Sequence, residues 1–129
     1  MSAALLGRVL VVDDDASFRS ALREQLETEG YSVVEAANGL AALGRLRGGL
    51  RPTVIVFDLM MPVMDGWDFR DGQLNDPELR DIPVVLVTAA GFSRSSLRTQ
   101  FGAIEVVAKP LPPGAILTAI KIAHLSAPP

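Results

Sequence analysis

The chain contains no cysteine, which excludes disulfides, thiol nucleophiles and cysteine-ligated zinc, and fits a reducing compartment. Its only histidine, His124, falls near the end of the last amphipathic stretch. There it suits a helix C-terminus, and it is given no catalytic role. No apolar run approaches the ~20 residues that a membrane span needs. The stretch from Ala3 to Val12 is interrupted by Arg8 and lacks a basic leader, so it does not read as a signal peptide. A cytoplasmic protein is expected. There is no basic tract, and the net charge is −3, so direct nucleic-acid binding by this chain is not expected. No repeat, low-complexity segment or linker divides the 129 residues. With 49% apolar residues, residues 1–129 are expected to form one folded domain.

What is present is a set of short, wholly apolar runs that end on polar groups. Val54-Ile55-Val56-Phe57 is entirely β-branched or aromatic and ends on Asp58. Such a run reads as a strand buried on both faces of a parallel sheet. Burying a lone carboxylate is costly, so Asp58 is expected at the strand's C-terminal lip, where open α/β sheets bind ligands. Val9-Leu10-Val11-Val12 ends on Asp13-Asp14-Asp15, and Val84-Val85-Leu86-Val87 ends on Thr88. Tyr31 to Ala36 and Ile104 to Ala108 read as shorter strands, the latter ending on Lys109-Pro110.

Between these runs the apolar period changes to that of a helix. Phe18, Leu22 and Leu26 mark the first helix, capped by Asp15 or Ser17 and closed at Gly30. Asn38-Gly39 reads as a turn, and Leu40, Leu43 and Leu46 as the face of a second helix stopped by Gly48-Gly49. Trp67 to Leu74, with Asp65 as cap, is the weakest helix, because Gly72 costs about 1 kcal/mol relative to alanine. Ser93 to Phe101 is a polar helix. Pro112-Pro113 is read as opening a last helix with Ile116, Leu117, Ile120, Ala123 and Leu125 on its apolar face. Five β-α units imply a parallel sheet with helices on both faces, whose strand ends share one edge.

If the first and third strands are neighbours, Asp13, Asp14 and Asp58 converge. Two carboxylates ~5 Å apart repel by about 3 kcal/mol at an effective dielectric near 20, so the cluster favours a cation. Hard, partly solvated oxygen ligands suit Mg²⁺. Thr88 adds a hydroxyl and Lys109 a mobile positive charge. That inventory suits phosphoryl transfer onto an aspartate, with the cations neutralising the phosphoryl oxygens. Each feature alone is weak, since an acidic run after a strand is usually a solvated helix start. The information lies in all four falling at the ends of β-α units.

The motifs Val11-Val12-Asp13-Asp14-Asp15, Val56-Phe57-Asp58-Leu59-Met60-Met61-Pro62 with Met64-Asp65-Gly66, Val87-Thr88-Ala89 and Lys109-Pro110 resemble those of the receiver domain of two-component response regulators. The resemblance covers nearly the whole chain. It implies a flavodoxin-like, doubly wound α/β fold, a five-stranded parallel sheet in the order 2-1-3-4-5 with five helices. It implies Asp58 as phosphoacceptor, Asp14 as a direct Mg²⁺ ligand, Asp13 as a ligand acting largely through water, and Met60 as the donor of a backbone carbonyl. Thr88 matches the switch hydroxyl and Lys109 the lysine that pairs with the phosphoryl group. Such a domain takes phosphate from a histidine kinase or histidine phosphotransfer protein and is a signalling module, not an enzyme with a separate substrate. Its side chains two residues beyond the phosphoacceptor and the switch threonine, here Met60 and Ala90, flank the hydrolytic water.

Some positions depart from the pattern. Val106 stands where the family usually has the aromatic partner of the switch, Leu111 follows Lys109-Pro110 where phenylalanine is common, and the segment from Thr88 to Lys109 is about one residue short. No output domain is expected, because only the last helix and the tail 126–129 follow. A receiver-fold interaction module acting without phosphorylation is the alternative. A phosphatase of the haloacid dehalogenase type would want an aspartate at Met60. A flavin site would want a phosphate-binding loop after the first strand, and none is present.

Overall fold

The computed structural model describes residues 6–126 apart from 90, 103 and 113. Pro113, Ala90 and the tail 127–129, all considered above, lie outside the described residues. Five strands and five helices alternate: β1 (Gly7–Val12), α1 (Ala16–Thr28), β2 (Tyr31–Ala36), α2 (Gly39–Arg47), β3 (Val54–Asp58), α3 (Gly66–Leu74), β4 (Val84–Thr88), α4 (Arg94–Gln100), β5 (Glu105–Ala108) and α5 (Ala115–Leu125). The strands form one parallel sheet in the order β2-β1-β3-β4-β5, as the resemblance implies.

The central strands are apolar at every position because both sheet faces are covered. Alternate residues point to opposite sides. Leu10, Val12, Ile55, Phe57, Leu86 and Val106 pack with α2, α3 and α4, whereas Val9, Val11, Val54, Val56, Val85 and Val107 pack with α1 and α5. Val106 is thus a core residue beside Leu86 in the β4–β5 ladder.

The helices begin where short polar side chains can satisfy free amides. Asp15 caps α1, accepting from the amides of Ser17 and Phe18. Asp65 caps α3 by accepting from Asp68, and Ser93 caps α4 by accepting from Ser96.

Five details differ from the sequence reading. Strand β1 starts at Gly7, before its apolar run, because the pairing with β2 extends to Tyr31. Asn38 is not in a free turn but caps α2 through the amide of Ala41. The buried face of α2 is Gly39, Ala42, Leu43 and Leu46, a spacing of i, i+3, i+4, i+7 that leaves Leu40 in solvent. In α5 the same spacing selects Ile116, Ala119, Ile120 and Ala123, so Leu125 is 87% exposed. That helix begins at Ala115 after Gly114, whose φ of 78° is the left-handed turn that glycine adopts without strain, so Pro112 lies outside it.

Candidate phosphoacceptor and metal site

The ladder registers bring the polar strand ends together. Val12 pairs with Phe57, so Asp13 and Asp58 are each one residue further along neighbouring strands. Asp58 pairs with Val87, and Thr88 pairs with Ala108, one residue before Lys109. The order β1-β3-β4-β5 therefore sets Asp13, Asp58, Thr88 and Lys109 along one edge of the sheet. This convergence needs no long loop, because each side chain sits at the end of a rigid strand.

Carboxylate oxygens of Asp13, Asp14 and Asp58 all lie within 4.8 Å of one another. Asp13 and Asp58 are buried, and Asp14 is exposed. The Lys109 Nζ donates to Asp13 Oδ2 at 2.8 Å and to Asp58 Oδ2 at 3.2 Å. The other oxygen of Asp13 accepts from the Asp15 amide, and the other oxygen of Asp58 accepts from the Met60 amide at 3.2 Å. Lys109 also stands over the Phe18 ring, 4.1 Å from its centroid. Its peptide bond to Pro110 is cis.

Burial raises the pKa of the Asp58 carboxyl, and the negative charge of Asp13 adds to the effect; Lys109 and the Met60 amide oppose it without cancelling it. Burial pulls the Lys109 ammonium down, but its hydrogen bond to Asp13 and the charges of both aspartates outweigh that and leave it raised. The site thus holds two buried carboxylates and one partner cation, an excess of negative charge. The donor set fits a hard divalent cation: three convergent carboxylates, one of them open to solvent.

The loop after Asp58 is held tightly. The Gly66 amide donates to Leu59 O at 2.7 Å, and a Cβ at Gly66 would sit 2.8 Å from Leu59 Cα and 2.9 Å from Asp58 O. Only glycine permits that approach, which seats the start of α3 directly beneath the loop that follows Asp58. Within the loop Val63 has a φ of 70°, and the Met60 side chain is 57% exposed.

Thr88 is fully buried, and its hydroxyl donates to the Ala89 carbonyl at 3.4 Å. Among the described residues the hydroxyl makes no hydrogen bond to Asp58 or Lys109, although the Thr88 carbonyl accepts from the Lys109 amide at 2.7 Å. Two groups were not anticipated from sequence. Phe18, a core position of α1 by its spacing, packs at the edge of the core and also faces Lys109. Trp67 makes an edge contact with Phe92, contacts Phe101, and donates its indole N–H to Gln100 Oε1 at 3.3 Å, while Phe101 contacts Phe57 beside the site.

The model of the response regulator receiver domain matches residues 9–121. The chain belongs to the receiver family. Among its relatives, the polar-differentiation response regulator DivK of Brucella anthropi is 33% identical over 104 residues, covering 80% of this chain and 84% of that protein. The ycf27 protein of Guillardia theta is 36% identical over 107 residues, covering 82% of this chain and 41% of that protein. The chain therefore spans about two-fifths of the length of the ycf27 regulators that it matches. Among solved structures, the receiver domain of a signal transduction histidine kinase from Syntrophus aciditrophicus is 31% identical with a TM-score of 0.81, covering 92% of this chain and 90% of that one. Receiver domains are modules of two-component signalling and generally bind Mg²⁺ at an acidic pocket, the place that Asp13, Asp14 and Asp58 occupy in this receiver. No helix of the described residues is long and apolar enough to cross a membrane.

Proposed function

We propose that this receiver accepts a phosphoryl group on Asp58 from a histidine kinase or histidine phosphotransfer protein in a cytoplasmic phosphorelay, and passes the signal to a protein partner. The observation that carries this reading is the Lys109 bridge between Asp13 and Asp58 at the mouth of a three-carboxylate cluster. An Asp58 oxygen attacks phosphorus as the bond to the donor nitrogen or oxygen breaks, and the leaving atom keeps that electron pair. The negative charge of the carboxylate then moves outward onto the phosphoryl oxygens. Lys109, already in contact with Asp58, is within reach to follow it. Asp13, Asp14, Asp58 and the Met60 carbonyl would hold Mg²⁺, which when bound supplies positive charge to the phosphoryl oxygens. The Thr88 hydroxyl is the group that reports the new phosphoryl group to the β4–α4 segment.

A second reading, an interaction module that works unphosphorylated, is favoured by Val106, which lacks the rotameric freedom of an aromatic switch. One experiment separates the two. After incubation with acetyl phosphate and Mg²⁺, intact mass should gain one phosphoryl group, and Asp58→Asn should gain none. Failure of the wild-type protein to gain mass would favour the second reading, and equal labelling of Asp58→Asn would remove Asp58 as acceptor.

A further inference from the structure

We propose that Phe18 is a positioning residue for Lys109, its ring face holding the ammonium in line with Asp58. The inference rests on the phosphoacceptor reading above and adds a group to it. An ammonium has three N–H donors. Two of them go to Asp13 and Asp58, and the Phe18 ring lies 4.1 Å from the same nitrogen, well inside cation–π range. The lysine side chain is about a quarter exposed, so the ring covers a cation that would otherwise be more open to water.

The backbone that carries the ring is itself held in place. The Phe18 amide donates to Asp15 Oδ1, the Asp15 amide donates to Asp13 Oδ1, and Asp13 Oδ2 accepts from Lys109. Asp13, Asp15, Phe18 and Lys109 therefore form a closed circuit at the start of α1, which fixes the backbone position from which the ring reaches Lys109.

The chemistry gives a reason for a ring there. During transfer the charge facing Lys109 shifts from Asp58 oxygens to phosphoryl oxygens. A third fixed acceptor would resist the small displacement that the ammonium must make. The π face attracts the cation with little angular demand, so Nζ can slide over it while staying shielded. An apolar packing role alone would need only the ring's volume.

A series of near-isosteric rings distinguishes these roles. Phe18 is replaced by mono-, di- and trifluorinated phenylalanine, which progressively weakens the negative ring face at nearly constant shape, and by Phe18→Leu and Phe18→Trp. Two quantities are read: the rate constant of phosphorylation by acetyl phosphate with Mg²⁺, and the solvent exchange of the Lys109 ammonium hydrogens by NMR in the metal-free, unphosphorylated protein. The rate should fall stepwise along the fluorinated series, by about two- to five-fold in all, and exchange should quicken in step. Phe18→Trp should keep or exceed the wild-type rate. A flat rate along the series in a protein that is labelled overturns the proposal, as does unchanged ammonium exchange. If the wild-type protein takes no phosphate at all, the phosphoacceptor reading fails, and the exchange measurement still decides whether the ring holds Lys109.

Discussion

Asp58 and Lys109 share a hydrogen bond, 3.2 Å from Nζ to Oδ2, yet the carboxyl still has a raised pKa. Burial and the neighbouring Asp13 outweigh the one cation that Asp58 must share. A folded-state pKa above the unfolded value of ~3.9 means that ionising Asp58 opposes folding. Its favourable contribution is complete below the unfolded value and is lost as pH rises through the folded one. In metal-free buffer at neutral pH, Asp58→Asn should therefore melt a few degrees higher than the wild type. The difference should shrink as pH falls through the folded pKa. A lower melting temperature at neutral pH would mean that the attraction to Lys109 dominates.

Metal binding should act on the same repulsion. The unfolded chain has no such cluster, so a cation that binds only the native site stabilises by mass action. Millimolar Mg²⁺ should raise the melting temperature of the wild-type protein by several degrees, and Asp14→Ala should lose most of that gain. Asp14 is exposed and makes no hydrogen bond to Lys109, so its removal leaves the lysine bridge standing. An equal gain in both proteins would place the cation elsewhere.

Away from the site, Gln73 is the buried polar residue with most to lose. It is fully buried on α3, donates from Nε2 to Leu79 O and Ile82 O, and accepts from Arg70 at 2.8 Å. It thereby ties the segment between α3 and β4 to the helix. Gln73→Leu would take its partner from the Ile82 carbonyl and from a guanidinium N–H, while the Leu79 carbonyl keeps the Ile82 amide at 3.1 Å, and should destabilise by about 1–3 kcal/mol. Chemical denaturation measures this, and a cost below about 1 kcal/mol would mean that water replaces the amide.

The readable parts of this chain were those in which one residue type carries one physical demand. A strand buried on both faces must be apolar throughout, so Val54 to Phe57 and Val84 to Val87 announced themselves, and a carboxylate at the end of such a run had few places to go. The Asp65 cap was legible for the same reason. Helix phase was harder. In α2 and α5 small residues, Gly39, Ala42 and Ala119, take the buried positions, and leucines that look like core residues, Leu40 and Leu125, face solvent. Gln73 was invisible because a polar residue on a helix ordinarily reads as surface. The Phe18 contact was hidden for another reason: it joins the first helix to the last strand, and no local pattern marks such a meeting.

The lifetime of the phosphoryl group should be governed partly by Met60. Hydrolysis needs a water in line with phosphorus, and the receiver resemblance puts the side chain two residues after the phosphoacceptor on that water's path. Here it is a thioether, which neither orients water nor carries charge. Met60 stands 57% exposed at the start of the loop after Asp58, while its amide is committed to Asp58 Oδ1. Replacing the side chain therefore changes what meets the water without removing the hydrogen bond that fixes Asp58. We expect slow loss of the phosphoryl group in the wild type and a several-fold faster loss in Met60→Asn, whose amide can hold a water. The decay of phosphorylated protein after removal of acetyl phosphate measures both. Decay that is unchanged or slower in Met60→Asn would show that this side chain does not limit the approach of water, and the lifetime would then rest on how Thr88 and Lys109 enclose the phosphoryl group.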